Sequence, residues 1–119
     1  MKNCSVALLG EVLYFVDKEG RLNSFKDGAL TIECSEPMDV VDICAGVGGC
    51  GNYRIFIADA KDMTIKVFDP LNRRLATLLK LQKRPESLAK EECTLAIGLK
   101  SEILLFDLKE LRVKERVSL

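Results

Sequence analysis

The chain has no histidine and no tryptophan. Without an imidazole it can build neither a Ser–His–Asp nor a Cys–His nucleophile arrangement. Any zinc site would need cysteines or carboxylates brought together by folding. Excess charge of either sign is also lacking, with 18 basic and 18 acidic residues and a formal net charge of zero. That balance provides no global attraction to nucleic acid or to an anionic membrane. No unbroken apolar run approaches the roughly 18 residues a membrane span requires, so no membrane association is expected. The start, Met1 to Ser5, leads into a short apolar run that ends before Glu11, without the long apolar centre and cleavage site of a secretory signal. Five scattered cysteines, Cys4, Cys34, Cys44, Cys50 and Cys93, include no Cys-x-x-Cys pair. An odd count without a signal points to free thiols in a reducing compartment, cytoplasm or nucleus.

What is present is a repeat. Three segments have the same form, a short apolar run, a turn and a second run ending in Phe: Leu13–Phe25, Ile55–Phe68 and Leu95–Phe106. Their first residues are 42 and 40 positions apart and their closing Phe residues 43 and 38 apart. A period near 40 with strand-like content is the sequence signature of propeller blades. With 119 residues, 48% hydrophobic and 30% charged, the chain is expected to form one domain, 1–119, with a real core. The repeat units are approximately 5–36, 37–82 and 85–119.

Read by period, nearly all of the chain is strand. In the first unit Val6–Leu9, Val12–Val16, Leu22–Phe25 and Leu30–Cys34 are strands, separated by Gly10-Glu11, Asp17–Gly20 and the hairpin signal Asp27-Gly28. The second unit has Val40–Ala45, a glycine-rich loop Gly46–Gly51, then Arg54–Ala58, Thr64–Phe68 and Leu75–Leu81. The third has Glu86–Ala89, Thr94–Leu99, Glu102–Phe106 and Leu111–Val117. Period alone leaves Arg73–Gln82 and Lys109–Arg116 open to a helical reading, and Glu86–Ala89 to a short helical turn. The repeat favours strand for 73–82 and 109–116. Asp17, Asp59 and Asp62 fall at turns, where backbone capping is the expected role.

These residues resemble the WD40 family of β-propellers. Phe68-Asp69 and Phe106-Asp107 stand where that family commonly carries Trp-Asp, while the first unit has Phe25-Lys26. The stretches Pro85–Ala89, Leu95–Leu99 and Ile103–Asp107 look like one WD40 blade, and Ile57–Asp59 with Ile65–Asp69 also looks like the related NHL blade. The chain departs from the family in lacking the Gly-His dipeptide and the Asp–His–Ser/Thr–Trp hydrogen-bond set. The resemblance implies an all-β fold of about three four-stranded antiparallel blades. Propellers use roughly four to eight, so three make an incomplete propeller with open edges, which are templates for further pairing: two copies join, another chain supplies the missing blades, the sequence is a piece of a longer protein, or a small curved sheet stands alone. The expected function is a non-enzymatic protein–protein interaction scaffold, completed by a second copy or a partner chain.

Two motifs suggest other functions. Gly46, Gly48 and Gly51 match G-x-G-x-x-G after an apolar strand carrying Asp42, a pattern that also resembles the cofactor loop of S-adenosylmethionine-dependent methyltransferases. The alternative is therefore a nucleotide- or S-adenosylmethionine-binding enzyme fragment using Asp42, Gly46, Gly48 and Gly51. Such a site needs a helix after the glycines. Only eight positions separate Gly51 from Asp59, too few for a crossover helix, so no cofactor is expected. The second motif is basic: Arg73, Arg74, Lys80, Lys83 and Arg84. Without interleaved aromatics for base stacking it favours a protein contact over RNA, with an RNA-associated accessory subunit as the alternative. Arg73, Arg74, Lys83 and Arg84 are the candidate partner-contact residues.

Overall fold

A computed structural model describes residues 5–47 and 51–119. Among the described residues there is no helix, and twelve strands form three four-stranded antiparallel sheets. Sheet 1 is β1 (Val6–Leu9), β2 (Val12–Val16), β3 (Leu22–Lys26) and β4 (Ala29–Cys34). Sheet 2 is β5 (Val40–Val47), β6 (Tyr53–Asp59), β7 (Thr64–Asp69) and β8 (Arg74–Lys80). Sheet 3 is β9 (Ser87–Glu91), β10 (Thr94–Gly98), β11 (Glu102–Asp107) and β12 (Arg112–Ser118). Each sheet is a simple meander in chain order. Both segments open to a helical reading, 73–82 and 109–116, fall mainly on outer strands, and Ser87–Glu91 is a strand as well. One expectation is corrected: Gly46 and Val47 are not loop but continue β5, pairing with Arg54 and Tyr53.

The repeat is one of register as well as sequence. The opening and closing residues of each unit are direct cross-strand partners: Leu13 with Phe25, Ile55 with Phe68, Leu95 with Phe106. Two pairs further along, on the same face, Phe15 is opposite Asn23, Ile57 opposite Lys66 and Ile97 opposite Leu104. Positions in the three sheets therefore correspond one to one.

The first strands lie side by side, β5 between β1 and β9, so the sheets stack face to face in a flat, propeller-like arrangement of 43 × 34 × 18 Å that does not close. Alternation along each strand gives every sheet two faces. The face toward the preceding sheet carries Ile55, Ile57 and Phe68 in sheet 2, and Leu95, Ile97 and Phe106 in sheet 3. Facing them are Tyr14 and Leu22 of sheet 1, and Phe56, Ala58 and Ile65 of sheet 2. The two cores are thus both inter-sheet cores.

The connections repeat one device. Met38 N–H donates to Gly20 O at 3.0 Å and Leu81 N–H to Met63 O at 2.9 Å, each acceptor lying in the turn between the second and third strands. Met38 and Leu81 thereby enter the cores at 7% and 8% exposure. At Gly20, φ is +79° and a Cβ would run into the Met38 carbonyl, so glycine is required there.

Aspartates cap the turns. The Asp17 carboxylate accepts Glu19 N–H (2.9 Å), Arg21 N–H (3.0 Å), Arg21 Nε (2.9 Å) and Asn23 Nδ2 (2.9 Å). Burial pushes this acid up, but the Arg21 and Asn23 donors and the Glu19 N–H together outweigh it and hold it at about 2. Hydrogen bonds also lower Asp69, first through Asn72, and Asp107, through Glu110 and Lys109 N–H. These groups bind protons more weakly folded than unfolded, so their stabilisation is present above the ordinary carboxylate value of 3.8 and is lost as pH falls toward 2. Urea midpoints measured against pH are expected to stay level near neutrality and to fall below pH 4. Asp17→Asn is expected to flatten that fall.

Candidate interaction surface

Among the described residues no sheet packs on the face of sheet 1 that points away from sheet 2. The register forms two rows on it: Val6, Phe15, Asn23 and Ile32, and Leu8, Leu13, Phe25 and Leu30. Seven of these eight side chains are apolar. Exposure reaches 54% at Val6, 70% at Leu8, 43% at Phe25, 62% at Leu30 and 45% at Ile32, with Leu13 and Phe15 half-buried. The corresponding residues of the other sheets are closed off: Phe68 is 1% and Phe106 2% exposed. A contiguous apolar face of this kind marks an interaction surface rather than ordinary scatter of surface hydrophobes.

The opposite end of the stack is also open but has a different relief. The outward face of sheet 3 carries Ala89, Ala96, Leu105 and Glu115 in one row and Ser87, Gly98, Ile103 and Val117 in the next. A hollow of about 550 Å³ lies over Ala89, Ala96 and Leu105, edged by Thr94 and by the charged Lys90, Glu91, Glu92 and Lys114.

The glycine motif is built into the stack. Asp42, in β5, accepts Ile43 N–H at 2.9 Å and, through its other oxygen, Leu88 N–H of β9 at 2.8 Å, which bridges sheets 2 and 3. Gly46 lies against the Lys90 side chain, Gly51 has φ of +85°, and β6 follows directly. Gly48 lies outside the described residues. Burial, reinforced by Asp42 and partly offset by Lys90, pushes the Cys44 thiol up to about 11, leaving it neutral and unreactive near neutral pH. Asp42→Ala is expected to lower stability by about 1 kcal/mol by stripping the part-buried Leu88 donor of its acceptor. Urea unfolding checks this, with the smaller loss expected for Asp42→Asn.

The basic residues do not form one patch. Arg74 pairs with Asp69 at one end of β8 and Lys80 with Thr64 at the other, roughly 20 Å away at strand rise. Arg73 reaches to sheet 1, with Nε 2.8 Å from Glu33 Oε1 and a further bond to Ile32 O. Lys83 reaches to sheet 3, where it meets Ser101 Oγ at 3.3 Å and Glu102 at 3.7 Å. Arg73 and Lys83 thus tie neighbouring sheets together, and all four candidate contact residues are exposed.

Polar chemistry elsewhere is structural. Lys66, in the middle of β7, places Nζ 2.7 Å from Asp59 Oδ2, 2.8 Å from Asp62 Oδ2 and 2.8 Å from Thr64 Oγ1. The Asp59 carboxylate also accepts Asp39 N–H (2.9 Å) and Lys61 N–H (3.0 Å), joining the sheet 1–sheet 2 connection to the β6–β7 turn. A cleft of about 540 Å³ between the β1–β2 and β7–β8 turns is lined by Tyr14, Tyr53 and Leu71 and by the Arg54–Asp69 pair at 3.5 Å. Among the described residues no cluster of three or more metal-ligating side chains occurs.

No family model and no curated protein matches the sequence. The fold does have likenesses. The computationally designed Ika8 protein superposes with a TM-score of 0.73 at 14% identity, over 94% of this chain and 35% of its own. The extracellular domain of a protein assigned as a hybrid two-component system, from B. thetaiotaomicron, superposes with a TM-score of 0.74 at 13% identity, over 97% of this chain and 17% of its own. The chain therefore spans about a third and a sixth of the length of these two structures. At such identities the likeness is one of fold: three stacked antiparallel sheets that form part of a larger object in each neighbour.

Proposed function

We propose that this chain is a non-enzymatic protein–protein interaction scaffold built from WD40-like, or NHL-like, blades and completed by a second copy or by a partner chain. The observation that carries this reading is the uncovered apolar face of sheet 1, whose Phe25 is 43% exposed at the position where Phe68 and Phe106 are buried. The Phe68-Asp69 and Phe106-Asp107 pairs support the blade assignment, since each Phe packs between sheets while its Asp caps the following turn. The engagement of Asp42 with Leu88 N–H also favours a scaffold, because the acid is occupied in holding two sheets together. The reading carries with it a reducing compartment, cytoplasm or nucleus, in keeping with the free thiols of Cys34, Cys44 and Cys93.

A ligand that binds the native state raises its melting temperature in proportion to ligand excess over Kd. The scaffold reading predicts no shift with S-adenosylmethionine or with nucleotides. A dose-dependent rise with either would overturn it in favour of a cofactor-binding protein.

A further inference from the structure

We infer that the apolar face of sheet 1 is the seat for the outward face of sheet 3 of a second copy, so that two copies pair head to tail into a six-sheet ring. This rests on the scaffold reading and names its partner. The match is positional first: Leu13, Phe15 and Phe25 occupy the places of Ile55, Ile57 and Phe68, and of Leu95, Ile97 and Phe106, which meet a preceding sheet. The outward face of sheet 3 is the surface that would meet a following one.

Volume then selects the partner. In the two internal interfaces the middle residue of the second strand supplies an aromatic ring, Tyr14 or Phe56, against isoleucine at Ile57 or Ile97. Sheet 3 has Ala96 at the position of Tyr14 and Phe56, and sheet 1 has Phe15 at the position of Ile57 and Ile97. The aromatic missing from one open face is present on the other. Seating sheet 3 on sheet 1 restores one ring to this pair of positions, as close packing requires. The hollow over Ala89 and Ala96 is where the extra bulk goes.

A second device agrees. Leu119 N–H donates to Ser101 O at 3.0 Å, repeating the bonds of Met38 to Gly20 and of Leu81 to Met63. Met38 and Leu81 are buried between sheets, whereas Leu119 is 77% exposed and awaits the same cover. A head-to-tail contact generates a ring when its rotation closes. Propellers use roughly four to eight blades. Multiples of this chain's three sheets give six or nine, and only six falls in that range.

Sedimentation equilibrium on the wild type, on Phe25→Asp and on Leu105→Asp tests the inference. Phe25→Asp spoils the receiving face and Leu105→Asp the inserting face. Both positions lie outside the two inter-sheet cores, and an unchanged far-ultraviolet circular dichroism spectrum verifies folding, with Ala96→Asp as the substitute should Leu105→Asp unfold. The wild type is expected at twice the 13.3 kDa chain mass and each variant alone at 13.3 kDa. An equimolar mixture of the two variants is expected to regain a two-chain species, because each copy still holds one intact face. A Leu105→Asp variant that remains dimeric would overturn head-to-tail pairing, since it would mean that sheet 1 packs on sheet 1. A monomeric wild type would overturn the second copy as occupant. In that case, anilinonaphthalene sulfonate fluorescence abolished by Phe25→Asp leaves the face for another chain, and no fluorescence response removes the scaffold reading as well.

Discussion

Phe68→Ala is expected to lower the free energy of unfolding by about 3–5 kcal/mol, the range for emptying a closed aromatic site. Phe68 is 1% exposed and packs against Tyr14 with ring centroids 6.4 Å apart at 59°, so the void opens between two sheets that have few other ways to close it. Phe25→Ala makes the same chemical change at the same position of the repeat. In protein dilute enough to be monomeric it is expected to cost roughly 1 kcal/mol, because much of that ring is already in water. Urea unfolding of both variants at low concentration measures the contrast. Equal losses would mean that the face of sheet 1 is covered within a single chain, and the open-face reading would fail.

Asp59→Ala is the second large effect, an expected loss of about 3 kcal/mol. The substitution removes one partner of a buried ion pair and two backbone hydrogen bonds at once. Asp59 and Lys66 have side-chain exposures of 2% and 9%, so water does little to replace what is lost. Asp62 contacts the same ammonium but is 51% exposed, and Asp62→Ala is expected to cost about 1 kcal/mol or less. The Lys66 amine is itself held above its ordinary value: burial pushes it down, and the Asp59 and Asp62 carboxylates more than reverse this. Its stabilisation is therefore complete below the ordinary lysine range and fades only as pH rises through the folded value. Denaturant midpoints of the two aspartate variants at neutral pH test the ranking. A loss at Asp62 equal to that at Asp59 would show that the network is solvated.

Strand positions were legible in the sequence because the signals are local. β-Branched and aromatic content marks Val12–Val16 as strand, and Asp27-Gly28, with φ of 52° and 78°, makes the two-residue turn its residue types demand. Sheet 3 needed the repeat as well, since Arg112–Ser118 is rich in helix formers and becomes a strand only by pairing with β11. The glycine segment misled at Gly46, where the glycine accommodates the Lys90 side chain between sheets instead of opening a loop.

The candidate site was less legible, for a geometric reason. Arg73 and Lys83 belong to one basic cluster along the chain, but an extended strand carries them apart, and their partners Glu33 and Glu102 come from other sheets. Asp59 and Asp62 read as turn caps, and Asp59 does cap Lys61 N–H. The clue to the larger network was Lys66, which alternation places on the same face as Thr64 and Phe68. The sequence separates Phe25 from Phe68 and Phe106 only by the residue that follows, Lys26 in place of Asp69 and Asp107, and that difference does not report exposure. Phe25 is exposed because, among the described residues, no sheet packs on that face of sheet 1, and that is a property of the stack as a whole.

Open faces on sheets 1 and 3 that complete one another make the chain associate with itself in solution. The mass of the unmodified chain in solution, followed by light scattering from micromolar to millimolar concentration, tests it most directly. A rise to a plateau at twice 13.3 kDa is the predicted result. A chain that stays at its monomer mass across that range would contradict the claim.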